Sequence, residues 1–323
     1  MILIVGGAGY IGSHINKELN KQGYKTLVLD NLSTGKKELV KWGELVEADL
    51  ADKNKLWEIF DRYEIEAVMH FAASKAVGES VENPAKYYRN NVVNTLNLLE
   101  VMKEKGVKYF IFSSSAAVYG TPQYMPIDEK HPLAPINPYG QTKYIIEKML
   151  ADFDTAYGLK HVILRYFNAC GADLDGDVGE WPGSGQNLIP LVLDAAIGAR
   201  SEIGIFGTDY PTPDGTPVRD YIHVSDLATA HVLALKKLLE TNKSNVYNLG
   251  NGKGFSVREV ITAIKKVTGR KFTIVETDRR AGDPAILVAL SDKIKSELGW
   301  QPQYPEIAKI VESAWRWHQR KAK

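Results

Sequence analysis

Tyr139 and Lys143 are the residues of this sequence whose types and spacing most directly suggest chemistry. Asn137 and Pro138 precede them, and proline is favoured in the first turn of a helix, so a helix is predicted to begin here. Residues four apart on a helix share a face. A phenol with its ordinary pKa of about 10 is a weak base at neutral pH, but a neighbouring cation lowers that pKa. The pair is therefore predicted to transfer a proton at a substrate oxygen.

A run of serines supplies a second polar group. Ser113, Ser114 and Ser115 end an apolar stretch that is predicted to be a strand over residues 109–113. Doubly wound sheets bind ligands at the carboxyl ends of their strands. Ser115 could hydrogen-bond a reacting hydroxyl or carbonyl oxygen there, or a serine could simply cap the next helix. A tyrosine and a lysine at this spacing also occur by chance in many helices. The functional interpretation of the Tyr139–Lys143 pair and of Ser115 therefore depends on whether the surrounding fold binds a dinucleotide.

Gly6, Gly9 and Gly12 form a G-x-x-G-x-x-G pattern between a predicted strand and a predicted helix. Glycines at such a turn let the backbone approach a pyrophosphate, and the helix N-terminus offers it free N–H groups. Asp30 follows 18 residues after Gly12, at the end of the next predicted strand. Its carboxylate can accept hydrogen bonds from a ribose diol and would repel a 2′-phosphate. The pattern predicts binding of NAD rather than NADP.

Strands and helices alternate around these residues in the first half of the chain. Predicted strands cover residues 1–5, 25–29, 45–48, 67–71 and 109–113, and predicted helices cover 10–22, 56–63 and 85–105. This alternation predicts an α/β fold with a Rossmann-like doubly wound parallel sheet, covered by helices on both faces. Residues 172–186 and 209–217 are predicted to be loops of a smaller C-terminal α/β domain.

The composition is that of an ordinary globular chain. Its 323 residues include 40 lysines and arginines against 39 aspartates and glutamates, so the net charge of +1 predicts no general attraction to nucleic acid. No stretch approaches the ~20 apolar residues that cross a bilayer, and the apolar start is too short for a signal peptide. The single cysteine, Cys170, cannot pair within the chain, and no cluster has zinc spacing. We therefore expect a cytoplasmic protein with no metal, no membrane and no nucleic-acid partner.

Taken together, the glycine turn, Asp30, Ser115 and the Tyr139–Lys143 pair resemble the extended short-chain dehydrogenase/reductase family. Further motifs sharpen the resemblance to one branch of that family, the UDP-glucose 4-epimerases (also called UDP-galactose 4-epimerases). These motifs lie at residues 71–73, 75–80, 113–120, 165–168, 218–224 and 279–284. The likeness extends from the first residue to about residue 300, without obvious large gaps.

The resemblance implies a tightly held NAD that is reduced and reoxidised within each turnover. Tyr139 would take the proton of the sugar 4-hydroxyl as hydride leaves C4, and Ser115 would hold the 4-oxygen. Lys143 would keep the phenol acidic and hydrogen-bond the nicotinamide ribose. The 4-keto sugar would then rotate and receive the hydride on its other face, which interconverts UDP-galactose and UDP-glucose. Such an enzyme must hold the nucleotide while leaving the hexose loose, so its binding energy comes from groups remote from the reacting carbon.

The same resemblance assigns binding residues by motif. Cofactor contacts are expected from Gly6, Gly9, Tyr10, Ile11, Gly12, Asp30, Asn31, Asp49, Leu50, Phe71, Ala72, Ala73, Lys75, Asn90, Ser113, Tyr139, Lys143 and Tyr166. UDP-sugar contacts are expected from Lys75, Ser115, Tyr139, Asn168, Asn187, Leu188, Phe206, Arg219, Tyr221, Arg280, Asp283 and Leu287. The forked donors of Arg219 and Arg280 suit a pyrophosphate, and Asp283 can bind a ribose hydroxyl.

The resemblance also implies domain boundaries, an assembly and a substrate range. The NAD-binding domain would cover residues 1–168 and about 221–250, and the UDP-sugar-binding domain would cover 169–220 and 251–323. A homodimer would form through helices near residues 85–105 and 139–155. Leu287 stands where some family members carry a bulky tyrosine beside the sugar 2-substituent. The smaller leucine is expected to admit UDP-N-acetylhexosamines as well.

Other functions fit part of the pattern. A nucleotide-sugar 4,6-dehydratase needs a carboxylate just before the segment 118–120, and residues 114–117 offer none. A uronate epimerase needs a site for a sugar carboxylate, whereas residues 165–168 are closer to the hexose enzymes. An ordinary alcohol dehydrogenase would leave the later motifs unexplained. A non-catalytic NAD-binding sensor could keep the glycines and lose the rest, but Ser115, Tyr139 and Lys143 are all present here.

Overall fold

The computed structural model of the chain describes residues 1–183, 187–280 and 283–321. Its strands are β1 (Ile2–Val5), β2 (Thr26–Asp30), β3 (Glu44–Glu47), β4 (Ala67–His70), β5 (Tyr109–Ser115), β6 (Lys160–Tyr166), β7 (Asn168–Cys170), β8 (Glu202–Phe206), β9 (Val218–His223), β10 (Asn245–Leu249), β11 (Gly254–Ser256), β12 (Thr273–Thr277) and β13 (Ile286–Leu287). Its helices are α1 (Tyr10–Lys21), α2 (Lys53–Arg62), α3 (Val77–Glu82), α4 (Pro84–Tyr87), α5 (Asn94–Glu104), α6 (Pro138–Tyr157), α7 (Leu188–Ala196), α8 (Val224–Thr241), α9 (Val257–Thr268), α10 (Asp292–Leu298) and α11 (Ile307–Lys321). Short 3₁₀ turns lie at Lys37–Leu39 and Ala116–Val118.

Two sequence predictions reach beyond the described residues. Residues 184–186 of the loop predicted over 172–186 lie outside them, as do Ala281 and Gly282 of the motif at 279–284. In the three ranges that the structure covers, no helix has both the length and the apolar character needed to span a bilayer.

The chain divides into two compact units. Unit 1 contains Met1–Gly120, Pro132–Arg165 and Ala228–Tyr247, and unit 2 contains Thr121–His131, Tyr166–Leu227 and Asn248–Lys323. The boundaries expected from the sequence placed residues 121–131 in the first domain and began the returning segment near residue 221.

The segment 121–131 groups with unit 2 because its backbone pairs there. The Ile127 amide donates to the Val288 carbonyl oxygen at 2.9 Å, and the Leu290 amide donates to the Ile127 carbonyl oxygen at 2.7 Å. These partners are more than 150 residues away in the sequence, so no local pattern announces the pairing.

The main sheet of unit 1 has seven strands, in the order β10-β6-β5-β4-β1-β2-β3. β1 pairs in parallel with β2 and β4, β2 pairs in parallel with β3, and β4 with β5. Every residue of β1 is buried, which explains its uninterrupted apolar sequence. Because the strand order reverses between β1 and β4, this is the doubly wound, Rossmann-like sheet that the sequence predicts.

Three groups with predicted roles come together at one edge of this sheet. Gly6 follows β1, Asp30 is the last residue of β2, and Ser115 is the last residue of β5. The parallel strands direct their carboxyl ends to the same edge. The topology therefore places the glycine turn, the acid and the serine on the side where such sheets bind ligands.

The helix predicted over residues 85–105 is interrupted in the structure. A π-helical turn, Tyr88–Val93, separates α4 from α5. Within it, the Asn91 side-chain amide donates to the Ser74 carbonyl oxygen at 3.0 Å, and its Oδ1 accepts from the Ser74 amide at 2.8 Å. These bonds to a distant loop fix the wider turn, which contains one residue more than an α-helical turn. The pattern of apolar residues in the sequence does not reveal one added residue, so the prediction was of an unbroken helix.

Unit 2 is itself an α/β assembly, as predicted for the C-terminal domain. β9 pairs with β11 in antiparallel fashion and with β13 and β7 in parallel fashion, while β8 and β12 form a separate parallel pair. Helices α7, α9 and α11 contribute to its core, which includes Ile189, Val260, Ile264, Ile310 and Trp315.

Candidate active site

The turn between β1 and α1 has no space for side chains at its glycines. Gly6 has a φ of +81°, and a Cβ on it would lie 2.5 Å from the backbone nitrogen of Ala72. A Cβ on Gly12 would lie 2.3 Å from the carbonyl oxygen of Gly6. Both distances are far below van der Waals contact, so only glycine lets the first turn of α1 lie this close to the end of β1.

The first turn of α1 has the charge distribution that suits an anion. Its N-cap, Gly9, makes no side-chain cap hydrogen bond, and no acidic residue lies in the turn. The first amides of a helix have no acceptor within the helix, and they carry the positive end of the helix dipole. Tyr10, Ile11 and Gly12 are the first three residues of α1, and their contacts with a cofactor stay a prediction.

Asp30 is a buried acid at the end of β2. Its Oδ2 accepts a hydrogen bond from the Ala8 amide and its Oδ1 accepts one from the Leu32 amide, each at 2.9 Å. Burial raises the pKa of this carboxyl, while the two amide bonds oppose the rise. Each oxygen of a carboxylate has a further lone pair, so Asp30 can still accept from a hydroxyl group. Nearby, Asn31 donates to Asp49 at 2.6 Å, which links two more of the predicted cofactor residues.

Ser115, Tyr139 and Lys143 are brought to the same part of unit 1. Asn137 caps α6 by accepting from the Gly140 amide at 2.9 Å, and Pro138 occupies the first turn as predicted. Tyr139 and Lys143 then lie on one face of α6. The hydroxyl of Tyr139 is deeply placed and hydrogen-bonds to Ser115.

Lys143 is held by the neighbouring strand. Its Nζ donates to the carbonyl oxygen of Ser113 at 2.7 Å and lies 4.8 Å from the centre of the Phe112 ring. The residue is buried, and burial lowers the pKa of its ammonium to about 7. The serine, the tyrosine and the lysine that the sequence singles out thus form one local arrangement at the end of β5.

The electrostatics of Tyr139 are dominated by burial. We expected a nearby ammonium together with the nicotinamide cation to lower the pKa of the phenol; in the chain without NAD, burial raises that pKa, and the hydrogen bond with Ser115 opposes the rise. The lowering of the phenol pKa stays a prediction for the protein with NAD bound, because the positive nicotinamide ring would supply a second cation. A buried Lys143 whose pKa is about 7 carries only part of a charge at neutral pH, so desolvation of the phenolate dominates.

The other predicted cofactor residues of unit 1 lie near the ends of β1 and β4. Phe71 and Ala72 both donate backbone hydrogen bonds to the Val5 carbonyl oxygen, and Ala73 follows them. The side chain of Asn90 donates to the Ser74 hydroxyl at 3.2 Å. Lys75 is exposed. The side chain of Leu50 belongs to the core of unit 1, so any ligand contact from Leu50 must use its backbone.

The residues predicted to bind the UDP-sugar belong to unit 2, apart from Lys75, Ser115 and Tyr139. Strand register places Asn168 beside Tyr221, and Leu287 beside Arg219. Arg219 donates to Asp283 at 2.9 Å, so this predicted anion-binding group already has an acidic partner.

Two further predicted residues stack on each other. The Arg280 guanidinium lies 3.7 Å from the centre of the Phe206 ring, at the end of β8. Asn187 and Leu188 begin α7, and Leu188 packs against the core of unit 2. Tyr166, predicted to contact the cofactor, is the last residue of β6 and is counted in unit 2.

Comparison with known proteins places this arrangement in a family. A model described as the NAD dependent epimerase/dehydratase family matches residues 2–250. The chain belongs to this family. A relative from Rhizobium meliloti (strain 1021), a UDP-glucose 4-epimerase, is 52% identical over 320 residues, which covers 99% of this chain and 97% of the relative.

Solved structures agree with the family and with the fold. A UDP-glucose 4-epimerase from Brucella ovis in complex with NAD is 50% identical, with a TM-score of 0.95 over 98% of this chain and 97% of that one. A UDP-Glc/GlcNAc 4-epimerase from Campylobacter jejuni is 46% identical, with a TM-score of 0.87 over 99% of both chains. The resemblance stated from the sequence motifs is thereby confirmed.

The glycine turn fits the cofactor that gives the NAD dependent epimerase/dehydratase family its description. A Cβ at Gly6 or Gly12 would overlap backbone atoms, so glycine at both positions lets the N-terminus of α1 lie close to the end of β1, and a helix N-terminus favours a diphosphate. Asp30 offers acceptors for a ribose diol, and its negative charge disfavours a 2′-phosphate. The donor and acceptor set thus suits NAD.

Three residues close to this family member's site were missed by the functional assignment from sequence. Glu147 lies one turn beyond Lys143 on α6, and it contacts both Ser114 and Arg165. Ser114 and Arg165 fell inside family motifs but received no role. The spacing Tyr139, Lys143, Glu147 was a usable signal, because four-residue steps continue the same helix face.

Proposed function

We propose that this chain interconverts UDP-galactose and UDP-glucose by inverting the configuration at C4 of the sugar. The observation that carries the proposal is the Ser115–Tyr139 hydrogen bond together with a buried Lys143 held by the Ser113 carbonyl oxygen, in a chain of the NAD dependent epimerase/dehydratase family. The relatives from Rhizobium meliloti and Brucella ovis support the epimerase assignment over the dehydratase, uronate epimerase, alcohol dehydrogenase and sensor alternatives. Such an activity would serve galactose metabolism.

Each of the three side chains has a separate task in this reaction. Tyr139 accepts the proton of the 4-hydroxyl group during oxidation and returns it during reduction. Ser115 hydrogen-bonds to both the 4-oxygen and the Tyr139 oxygen, accepting from the one that bears the proton and donating to the other, so it can relay the proton between them. NAD, when bound, supplies the hydride acceptor and donor and adds a positive ring that favours the phenolate. Lys143 stabilises the phenolate while its Nζ is oriented by the Ser113 carbonyl oxygen.

Unit 2 contributes the nucleotide-binding residues in this proposal. Arg219 and Arg280 would bind the diphosphate, and Asp283 would bind a ribose hydroxyl. The existing bond from Arg219 to Asp283 holds both side chains in a fixed arrangement before the nucleotide binds. Contacts far from C4 bind the substrate without restraining the hexose, which must present both of its faces.

The substrate range is proposed to include UDP-N-acetylhexosamines. Leu287 is partly buried and lies in register with Arg219, so it belongs to the same strand pair as a predicted diphosphate ligand. A leucine occupies less space than a tyrosine beside the sugar 2-substituent. The Campylobacter jejuni protein, a UDP-Glc/GlcNAc 4-epimerase 46% identical to this chain, supports the wider range.

We also propose that two copies of the chain associate through the helices near residues 85–105 and 139–155. Large apolar side chains are exposed in and next to the first of these segments, on Val81, Tyr88, Val93 and Leu96. Such side chains are favoured at interfaces between subunits.

A cytoplasmic location is proposed because the single cysteine, Cys170, is buried and cannot form a disulfide within the chain.

Proton NMR of the purified protein with UDP-galactose and no added cofactor tests the function. We expect UDP-glucose to appear with no net NADH, because the hydride returns to the substrate. Conversion only after NAD is supplied would retain the chemistry and reject tight retention of the cofactor. UDP-N-acetylglucosamine in the same assay tests the range, and its failure alongside good turnover of UDP-galactose would reject the role of Leu287.

Tyr139→Phe is the matched control. It removes one hydroxyl group and should abolish turnover while NAD and UDP still bind. A 4-keto-6-deoxy product from the unmodified protein would instead identify a dehydratase. No reaction at saturating NAD, with either sugar nucleotide, would contradict the proposed function.

A further inference from the structure

Glu147 is a buried carboxylate with no assigned role, one turn beyond Lys143 on α6. Both of its oxygens are used: Arg165 Nη2 donates to Oε2 at 2.6 Å, and Arg165 Nε donates to Oε1 at 3.0 Å. Only 5% of each of these residues is exposed. A bidentate pair of this kind is strong and directional, so it fixes the orientation of the carboxylate.

The carboxylate also holds the end of β5. Ser114, which is buried, donates to Oε1 of Glu147 at 2.6 Å. Its two chain neighbours carry groups of the proposed site: the Ser113 carbonyl oxygen accepts from Lys143, and the Ser115 hydroxyl bonds to Tyr139. Fixing Ser114 therefore fixes the backbone from which both of these contacts are made.

Arg165 is anchored on its far side as well. It lies on β6, next to β5 in the sheet, and its Nη1 donates to the Tyr119 hydroxyl at 3.1 Å. Its guanidinium carbon lies 5.2 Å from the centre of the same ring. The arginine is thus held at both ends, and it cannot follow Glu147 if the carboxylate moves.

We propose that Glu147 is a positioning residue for the reaction: clamped by Arg165, it orients residues 113–115 and places a negative charge one helical turn from the Lys143 ammonium. This inference rests on the proposed function for its effect on turnover. The predicted effect of Glu147 on the protonation of Lys143 is independent of the proposed function.

The surroundings of Lys143 make that negative charge important. Tyr139 faces it from the preceding turn of α6, the Phe112 ring and the Ser113 carbonyl face it from β5, and neutral His70 faces it from β4. Burial lowers the pKa of Lys143 to about 7, and the charge of Glu147 opposes this lowering. Arg165 lies on the other side of the carboxylate. Without the carboxylate charge, Lys143 would be largely neutral at pH 7.

Glu147→Gln tests the proposal, because it preserves the shape of the side chain and removes its charge. We expect kcat for UDP-galactose to fall about tenfold at pH 7, with KM within about twofold of the unmodified value. The decline of kcat on the alkaline side of the pH profile should move about one pH unit lower, because Lys143 loses its proton more easily. Glu147→Asp keeps the charge and should restore the position of the profile, although not the full rate.

Two other variants separate positioning from folding. Asp154→Asn is the matched control, since Asp154 lies on the same helix and is paired with Lys160 and with Ser244. It should weaken the fold without moving the pH profile. If Glu147→Gln does not fold because Arg165 is left unpaired, Glu147→Leu combined with Arg165→Met removes both charges and should show a smaller shift in the same direction, because Arg165 lies farther from Lys143 than the carboxylate does.

A direct titration makes the result independent of turnover. The Lys143 ε-methylene signal in ¹³C-lysine-labelled protein, assigned by its loss in Lys143→Met, should titrate about one pH unit lower in Glu147→Gln. An unchanged titration midpoint, or an unchanged kcat profile in an active protein, would overturn the role of Glu147. If the unmodified protein does not convert UDP-galactose, the proposed function fails while the titration still decides this inference.

Discussion

Lys143 shows at the scale of one residue how a functional group is kept at the expense of stability. Its folded pKa of about 7 is below the ordinary value of 10.5. Between these two values the unfolded chain binds one more proton than the folded chain, so stability rises with pH across that window. Below about pH 7, the folded protein bears the full cost of a buried ammonium.

Replacing this lysine should therefore separate stability from activity. We expect Lys143→Met to lower turnover of UDP-galactose by about 10² to 10⁴. At pH 6 the same change should raise the free energy of unfolding by about 1 to 3 kcal/mol, less than the full burial cost because the Ser113 carbonyl oxygen loses its donor. NMR turnover and urea unfolding measure the two effects. A variant that is both inactive and less stable at pH 6 would contradict this account.

What the sequence could predict at this scale depends on sequence distance. Tyr139 and Lys143 are one helical turn apart, so their shared face follows from local spacing alone. The bond between Ser115 and Tyr139 joins residues 24 positions apart, and only family resemblance suggested it. Glu147 and Arg165 meet because β6 lies beside β5, and nothing local in the sequence encodes that contact.

At the scale of elements, the β1–α1 turn is the most demanding piece of the site. A Cβ on Gly12 would lie 2.3 Å from the Gly6 carbonyl oxygen and 2.8 Å from the Gly7 Cα. Both neighbours are backbone atoms that cannot turn aside. A side chain at Gly12 would therefore push the first turn of α1 away from β1 and displace the amides that face a diphosphate.

Gly12→Ala should for this reason reduce NAD binding more than it reduces folding. We expect the NAD content of the purified protein to fall at least about tenfold, with a loss of stability of about 1 to 3 kcal/mol from the forced overlap. Gly78→Ala, in α3, is the control, because a Cβ there meets no atom within 4 Å. Equal NAD content in both variants, measured after acid release, would show that the turn does not position the cofactor.

Elements were the scale at which sequence prediction succeeded best, and its errors there are informative. The predicted strands at 1–5, 25–29, 45–48 and 67–71 each coincide with an observed strand to within one or two residues. Their buried apolar runs are strong local signals. The π-helical turn Tyr88–Val93 was missed because Asn91 is fixed by bonds to Ser74, which lies outside the helix.

The whole molecule has an unusual placement of its histidines: all seven are buried. The pKa values of His70, His161 and His318 are lowered because burial disfavours their charged forms. An unfolded histidine has a pKa of about 6.5, so below that pH the unfolded chain binds more protons than the folded chain. The free energy of unfolding therefore falls as the pH drops. Asp220 acts in the opposite direction, since its pKa is raised to about 6.

His70 should account for a measurable part of this acid sensitivity. Its Nε2 lies 2.8 Å from the Thr95 hydroxyl, which donates its own proton to the Asn91 carbonyl oxygen, so Nε2 must be the donor. Within the described residues Nδ1 has no hydrogen-bond partner, which fits a neutral ring whose pKa is lowered to about 3.

We expect His70→Leu to reduce the loss of unfolding free energy between pH 7 and pH 5 by about 2 kcal/mol relative to the unmodified chain. Urea unfolding at the two pH values measures the difference. Parallel curves for the two proteins would mean that His70 does not contribute to the acid response.

The division of the whole chain was the hardest property to predict. Residues 121–131 belong to unit 2 because Ile127 pairs with residues 288–290, more than 150 positions later. A linear reading of composition assigns a segment to the domain of its neighbours. Only the tertiary pairing of the backbone shows that residues 121–131 belong to unit 2.

The stripe of Tyr139, Lys143 and Glu147 along α6 restricts how genes for such proteins can change in length. One inserted or deleted residue between Tyr139 and Lys143 would rotate everything after it by about 100° around the helix axis. Lys143 would leave the Ser113 carbonyl and Glu147 would leave Arg165 in a single event. Substitutions can be tested by selection one at a time along this helix, whereas this change of length removes the contacts of Lys143 and Glu147 at once.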